Sequence, residues 1–313
     1  MRKAKYIFSD EIHQELHTLD THLQEKKYNE HTIRQYKNCT GIYLEWLHEN
    51  NHNPAEVTYK IVIEFIEDIQ QSYSLNHYKR IIIAIKHYHD KVGNAINPVA
   101  GIFIKGQRRS IINDLVDYSQ IQACYAAYDT LDDRDRRNKI ILGLLLHQAV
   151  TTGDLHQLEP GHIRLKEGKI YIPGHEDVNS RILVLEGSQM LDLQEYLLMI
   201  RPRILANVTA YRNGRKPKEI DSVIGEKLFF SERGSNHIKA TLYHMFKKIR
   251  KQYPKITSGK IIRNTVIAEW LKTIDIRRVQ YMAGHRYVSS TERYNVMNLQ
   301  ELKDSLNKYH PLK

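Results

Sequence analysis

The 313-residue chain has only two cysteines, Cys39 and Cys124. Two thiols cannot build a disulfide framework, so a reducing compartment is expected, and the cytoplasm is the expected location. Long apolar runs are also missing. The longest, around Ile140–Leu146, falls far short of the roughly 20 residues that a membrane span needs, so no membrane partner is expected. Met1–Lys5 is basic, but Tyr6–Phe8 is too short for the core of a signal peptide. There is no glycine-rich phosphate loop, so no nucleotide is implied. There is no His-Glu-x-x-His and no cysteine pair at zinc spacing, and His87 and His89 fall on different faces of a helix. No metal and no cofactor is expected. No internal repeat or low-complexity tract stands out.

What the chain does have is positive charge and enough apolar residues for a core. Lys and Arg number 47 against 36 Asp and Glu, a net charge of +11, and 41 % of residues are hydrophobic. That surplus points to a polyanionic partner such as nucleic acid. The length suggests about two domains. Residues 1–100 read as an all-helical module. Tyr28–Tyr36 opens a helix that runs through Ile42, Trp46 and Leu47, and Asn50–Pro54 breaks it. Val62, Phe65, Ile66 and Ile69 mark a second helix, and Ile81, Ile82, Ile85 and Tyr88 a third. Lys79, Arg80 and Lys86 decorate that last helix and are candidate DNA contacts.

Residues 101–113 read as a basic linker, in which Lys105, Arg108 and Arg109 are candidate contacts to a phosphate backbone. A second domain follows over residues 114–313. It opens with helices around Ser119–Tyr128 and Asp135–Leu146, then strands at His162–Leu165, Lys169–Ile172 and Arg181–Leu185. Ser188 is placed to cap the next helix. Arg201–Lys218, with six Lys and Arg, reads as an exposed basic loop, equally explained as a solvated face. Further helices are expected at Ile238–Tyr253, Ile262–Ile274 and Leu299–Tyr309.

The last sixty residues carry the chemistry. Lys260-Ile-Ile-Arg263 begins a helix whose apolar face is Ile267, Trp270, Leu271 and Ile274. Ala283-Gly-His285 follows, and nine residues after His285 comes Tyr294. A phenol has a pKa of about 10 and is a poor nucleophile at neutral pH unless it is activated. Attack on a phosphodiester also needs cationic donors, and the fork of an arginine matches phosphate oxygens. Histidine can donate to a non-bridging oxygen or shuttle a proton.

This pattern resembles the C-terminal half of the tyrosine recombinase (phage integrase) family, whose box reads His-x-x-Arg, then about twenty residues to Gly-His, then nine to Tyr. Leu142–Leu158 resembles the family's first box, Thr-Gly-Leu-Arg-x-x-Glu-Leu-x-x-Leu, with Asp154, Leu155 and Leu158 at the acidic and leucine positions. The resemblance implies a mainly α fold with a small antiparallel β-sheet: a SAM-like helical core-binding domain, then an α+β catalytic domain with a C-terminal tail helix. It implies a site-specific recombinase acting on double-stranded DNA half-sites. Tyr294 would form a 3′-phosphotyrosyl bond, and Arg263 and His285 would bind the scissile phosphate. Four protomers would assemble at synapsis through the tail helix.

The chain departs from the family pattern at three positions. The first-box arginine falls on Thr151, the hairpin lysine on His175 and the first histidine of His-x-x-Arg on Lys260. Lys260 keeps a cation. His175 is a candidate acid for the 5′-oxygen leaving group, because a free imidazole titrates near 6.5. Arg181 matches a family arginine on the strand after the hairpin and is a candidate DNA contact. Thr151 with Asp154 also spells a helix capping box. Two other readings stand beside the recombinase: a catalytically weak DNA-binding relative, for which Thr151 argues, and a nicking-closing topoisomerase with the same residues.

Overall fold

In the computed structural model, the described residues are 8–92, 96–104, 115–175, 178–209, 222–231 and 238–294. The linker residues Lys105, Arg108 and Arg109 and the expected tail helix at Leu299–Tyr309 lie outside them. The chain divides into two compact units, Met1–Gln107 and Arg108–Lys313.

Every regular element among the described residues of the first unit is a helix. Helix α1 (Asp10–Glu25) starts where Ser9 Oγ accepts from the Ile12 N–H, and α2 (Glu30–Glu49) where Asn29 Oδ1 accepts from the Thr32 N–H. Each cap satisfies one of the four orphan donors of a helix start. After the Asn50–Pro54 break come α3 (Tyr59–Gln70) and α4 (Leu75–Val92). Leu19, Leu23, Leu47, Val62, Phe65, Ile81 and Ile85 are fully buried between them. Lys79 and Lys86 are two turns apart on α4, with exposed Ile83 between them. Arg80 donates to Gln35 Oε1 at 3.2 Å.

The second unit is built on two helices that are buried almost all round. The apolar run Ile140–Leu146 forms the body of α6 (Asp133–Gln148), which follows α5 (Tyr118–Ala126). Every residue of that run is buried, as expected of a central helix. The second is α11 (Gly259–Trp270), in which residues 262–268 are buried without a break.

Between them lies α7 (Thr152–Gln157), then an antiparallel sheet of β1 (Ile163–Arg164), β2 (Lys169–Ile172) and β3 (Arg181–Val184) in the order β1-β2-β3. Ile163 faces Ile170, and Tyr171 faces Ile182. The outer edge of β3 is occupied by side chains. The Tyr281 hydroxyl accepts from the Ile182 N–H at 3.0 Å, and Gln148 Nε2 donates to the Val184 carbonyl at 2.9 Å. Tyr281 lies on α12 (Ile276–Ala283), so this edge cannot recruit another strand there.

Two sequence expectations need correction. Ser188 lies inside α8 (Gly187–Glu195), and Glu186 with Gln189 forms the capping box instead. The basic loop expected at Arg201–Lys218 begins as a helix. The chain passes from α8 through one π-helical turn (Tyr196–Ile200) into α9 (Arg201–Thr209), and α10 (Lys239–Ile249) comes later. Ile200 and Ile204 are buried, and Leu205 and Val208 pack beside them, so apolar periodicity outweighs local charge. Arg201 is spent on the carbonyls of Gly225 and Lys227, and Arg203 pairs with Asp133. Residues 210–221 lie outside the described residues.

Fully buried His89 shares a hydrogen bond with the Tyr43 hydroxyl at 2.9 Å, and burial pulls its pKa down to about 4. Its folded value lies below the ordinary 6.5. The stability this gives is complete above pH 6.5 and is lost as pH falls toward 4. Melting followed by circular dichroism is expected to show a falling midpoint between pH 7 and 5. His89→Gln, which cannot gain that proton, should show a shallower fall.

Candidate functional site

The site starts where α6 stops. Ala149 has φ +46°, in the left-handed region, and turns the chain so that Thr151 becomes the N-cap of α7. That conformation strains a residue with a Cβ by about 1–2 kcal/mol. The Thr151 hydroxyl accepts from the Asp154 N–H at 3.0 Å, and Asp154 Oδ2 accepts from the Thr151 N–H at 2.7 Å. This is the capping box anticipated from the sequence. It gives Thr151 a complete structural role.

Asp154 is fully buried and is met by Arg181, the first residue of β3, whose guanidinium is also buried. Arg181 Nη2 donates to Oδ2 at 2.8 Å, and Nη1 lies 3.4 Å from Oδ1. Burial by itself raises the carboxyl pKa. The hydrogen bonds and charge of Arg181, with the bonds from Thr151, outweigh it and leave Asp154 below its usual range. Arg181 is therefore engaged by an internal carboxylate, and its side chain is not on the surface. His175 Nε2 sits 3.3 Å from Asp154 Oδ1 without hydrogen-bond alignment, and about a quarter of its side chain is exposed. The ring fits because residue 153 is glycine: a Cβ there would lie 3.0 Å from Nε2.

The hairpin and the C-terminal box are joined by backbone. His175 pairs with Val178, Val178 pairs with His285, and the Asn179 N–H donates to the Gly284 carbonyl at 2.8 Å. Gly284 ends α12 at φ +69°, and a Cβ on it would fall 2.7 Å from Arg181 Nη1. Both its dihedral and the approach of Arg181 require glycine.

Arg263, on α11, bridges the ends of two other helices. It donates to the Ala149 carbonyl after α6 and, at 2.6 Å, to the Ala283 carbonyl at the end of α12. Burial, reinforced by Arg181, lowers its pKa to about 10, which leaves it cationic at neutral pH. His285 Nδ1 shares a hydrogen bond with Thr291 Oγ1 at 2.9 Å. Burial, then Arg263, Arg181 and Arg293, bring the His285 pKa down to about 4, so its ring is neutral. The ring lies nearly parallel to that of Tyr294, at 16° and 6.1 Å between centroids. Tyr294 is only 6 % exposed. Its hydroxyl donates to Asn264 Oδ1 at 3.0 Å. Burial raises its pKa, against the pull of Arg263 and Arg293.

The fold thus gathers Arg263, His285, Tyr294, His175, Arg181 and Thr151 into one cluster. Lys260 lies on the exposed first turn of α11 and makes no hydrogen bond or ion pair with the cluster. Lys79, Arg80 and Lys86 belong to the first unit. Sequence reasoning did not identify Asn264, a polar residue inside an apolar run, or Thr291, one of several polar residues before Tyr294, because neither carries a spacing signal of its own. Among the described residues no group of His, Cys, Asp and Glu is placed to hold a metal ion, and no helix is long and apolar enough to cross a membrane.

Comparison with known proteins gives consistent matches. The phage integrase family matches residues 115–301. The tyrosine recombinase XerD of Vibrio cholerae is 22 % identical over 306 residues, 94 % of each chain. Among solved structures, the XerH site-specific recombinase bound to a palindromic difH substrate superposes with a TM-score of 0.68 at 16 % identity, covering 87 % of this chain and 78 % of that one. A lambda integrase dimer bound to a core site gives 0.58 at 14 % identity, covering 90 % and 94 %. At these identities the structural likeness establishes the fold: mainly α, with a small antiparallel sheet.

Removing Asp154 leaves Arg181 buried without its counter-charge. Asp154→Ala is expected to destabilise the protein by about 3–5 kcal/mol. Urea unfolding checks this, with Asp154→Asn, which keeps an acceptor, expected to lose less.

Proposed function

Because the chain belongs to the phage integrase family, we propose that it is a site-specific DNA recombinase that cuts and rejoins DNA through a covalent 3′-phosphotyrosine. The convergence of Arg263, His285 and Tyr294 carries this reading. A guanidinium, a neutral imidazole and a phenol are brought together by bonds between α11, the ends of α6 and α12, and the segment that carries Tyr294.

In the proposed reaction the Tyr294 oxygen attacks phosphorus, and the bond from phosphorus to the 5′-oxygen breaks. Arg263 uses two of its five N–H donors on carbonyls and keeps others for the non-bridging oxygens. His285, being neutral, has the capacity to take the phenolic proton. His175, on the exposed side of Asp154, gives a proton to the departing 5′-oxygen. A 5′-hydroxyl of the partner strand then reverses the step. The bond energy stays in the phosphotyrosyl link, so neither ATP nor a metal is needed.

Thr151 removes the guanidinium expected in the first box, and loss of one such donor typically costs about 10²–10³ in rate. Arg181 offsets part of that loss as a charge behind the phosphate site. With Arg263 and against Asp154 it leaves the buried cluster one unit positive. Lys260 adds an exposed cation at the start of α11. The net charge of +11, the face of α4 bearing Lys79 and Lys86, and the basic residues Lys105, Arg108 and Arg109 suit contact with a phosphate backbone. Binding should weaken steeply with salt as counterions are released. Each protomer takes one half-site, and four assemble in the cytoplasm through the residues that follow Tyr294. A second reading, a DNA-binding relative with weak catalysis, is favoured by the purely capping role of Thr151.

A nicked suicide substrate carrying the native site separates the two. The wild type is expected to form a DNA adduct that Tyr294→Phe does not form; tight binding without an adduct supports the second reading. For His175, a bridging 5′-phosphorothiolate substrate, whose thiolate leaves without a proton, is expected to rescue His175→Ala. Absence of rescue removes the acid role.

A further inference from the structure

We propose that Asn264 is a positioning residue that parks the Tyr294 hydroxyl, protonated and enclosed, until bound DNA draws it out. This deepens the reading above and rests on Tyr294 being the nucleophile.

The first observation is enclosure. The Tyr294 hydroxyl donates to Asn264 Oδ1 at 3.0 Å, and both side chains are buried. In the absence of DNA the hydroxyl is thus turned from solvent and committed to Asn264 rather than presented to a phosphate. The second is the direction of the bond. An amide oxygen only accepts, so this bond exists only while the phenol keeps its proton, and it favours the neutral form. Attack requires the opposite state. The elevated Tyr294 pKa, with burial outweighing Arg263 and Arg293, agrees.

The third observation is what moves with the tyrosine. Residues 288–294 are helical, and Thr291, one turn before Tyr294, holds His285 Nδ1. Withdrawing this segment from Asn264 therefore also withdraws Thr291 from His285. Release of the nucleophile and freeing of its histidine are one motion. Asn264 directly follows Arg263 on α11, and successive helical residues project about 100° apart. One helix can thus offer Arg263 to the phosphate and Asn264 to the resting nucleophile.

The test uses Asn264→Leu, which keeps the volume and removes the acceptor, and Asn264→Asp, which offers a stronger one. In the free protein, nitration of Tyr294 by tetranitromethane is mapped by peptide mass spectrometry and normalised to exposed Tyr287. Wild-type Tyr294 is expected to be protected without DNA and modified with it. Asn264→Leu should raise modification in the free protein about five- to tenfold, the equivalent of one net hydrogen bond. On the nicked substrate, adduct formation should be faster in Asn264→Leu and slower in Asn264→Asp. The proposal is overturned if wild-type Tyr294 is nitrated as readily as Tyr287 without DNA. It is equally overturned if both variants slow adduct formation in step with a lower melting temperature, as a structural role requires. Should Asn264→Leu not fold, wild-type protection and Asn264→Asp still decide. Should the wild type form no adduct, the nucleophile reading fails by itself, while nitration still reports whether the hydroxyl is parked.

Discussion

Asp154 is a fully buried carboxylate, and such a group costs several kcal/mol unless charge and hydrogen bonds offset it. Here the offset comes from two directions: the Thr151 N–H caps it locally and the Arg181 guanidinium meets it from β3, while the His175 ring lies beside it without a hydrogen bond. Each of these ties a different part of the chain to the start of α7. Arg181 in turn demands glycine at 284, which fixes the turn that presents His285. The position of the C-terminal box is thus set by a charge pair whose acidic half lies well over a hundred residues earlier.

Arg263 works on the same principle with carbonyls in place of a carboxylate. Its two bonds hold together the ends of α6 and α12, and one of the accepting carbonyls belongs to a residue in a left-handed conformation. The resulting electrostatics are consistent. Two buried guanidinia face one carboxylate, the neighbouring imidazole is driven neutral, and the phenol is kept protonated by burial. Such a centre is short of one negative charge, which a phosphate would supply.

Much of the second unit was legible in the sequence because its helices carry strong period-3.6 patterns and its strands are separated by clear turn residues. The α9 segment was misread for a physical reason. Its arginines dominate the local composition, yet Ile204, Leu205 and Val208 continue an apolar face, and burial of that face decides the conformation. The basic residues then found carbonyl and carboxylate partners. The burial of Arg181 against Asp154 was not legible either, since a charged residue shows no sign of its buried partner in local sequence.

The candidates at fixed spacing, Arg263, His285 and Tyr294, were legible in the sequence itself, because their intervals form a linear pattern that is read without any tertiary contact. So was Thr151, whose capping box needs only the residue three positions later. Only the tertiary structure decided that Arg181 faces Asp154, that His175 nests over Gly153, and that the Tyr294 hydroxyl rests on Asn264. These contacts join segments separated by about twenty residues or more, and no local propensity records them. The first and third answer the need to pair polar groups that packing encloses.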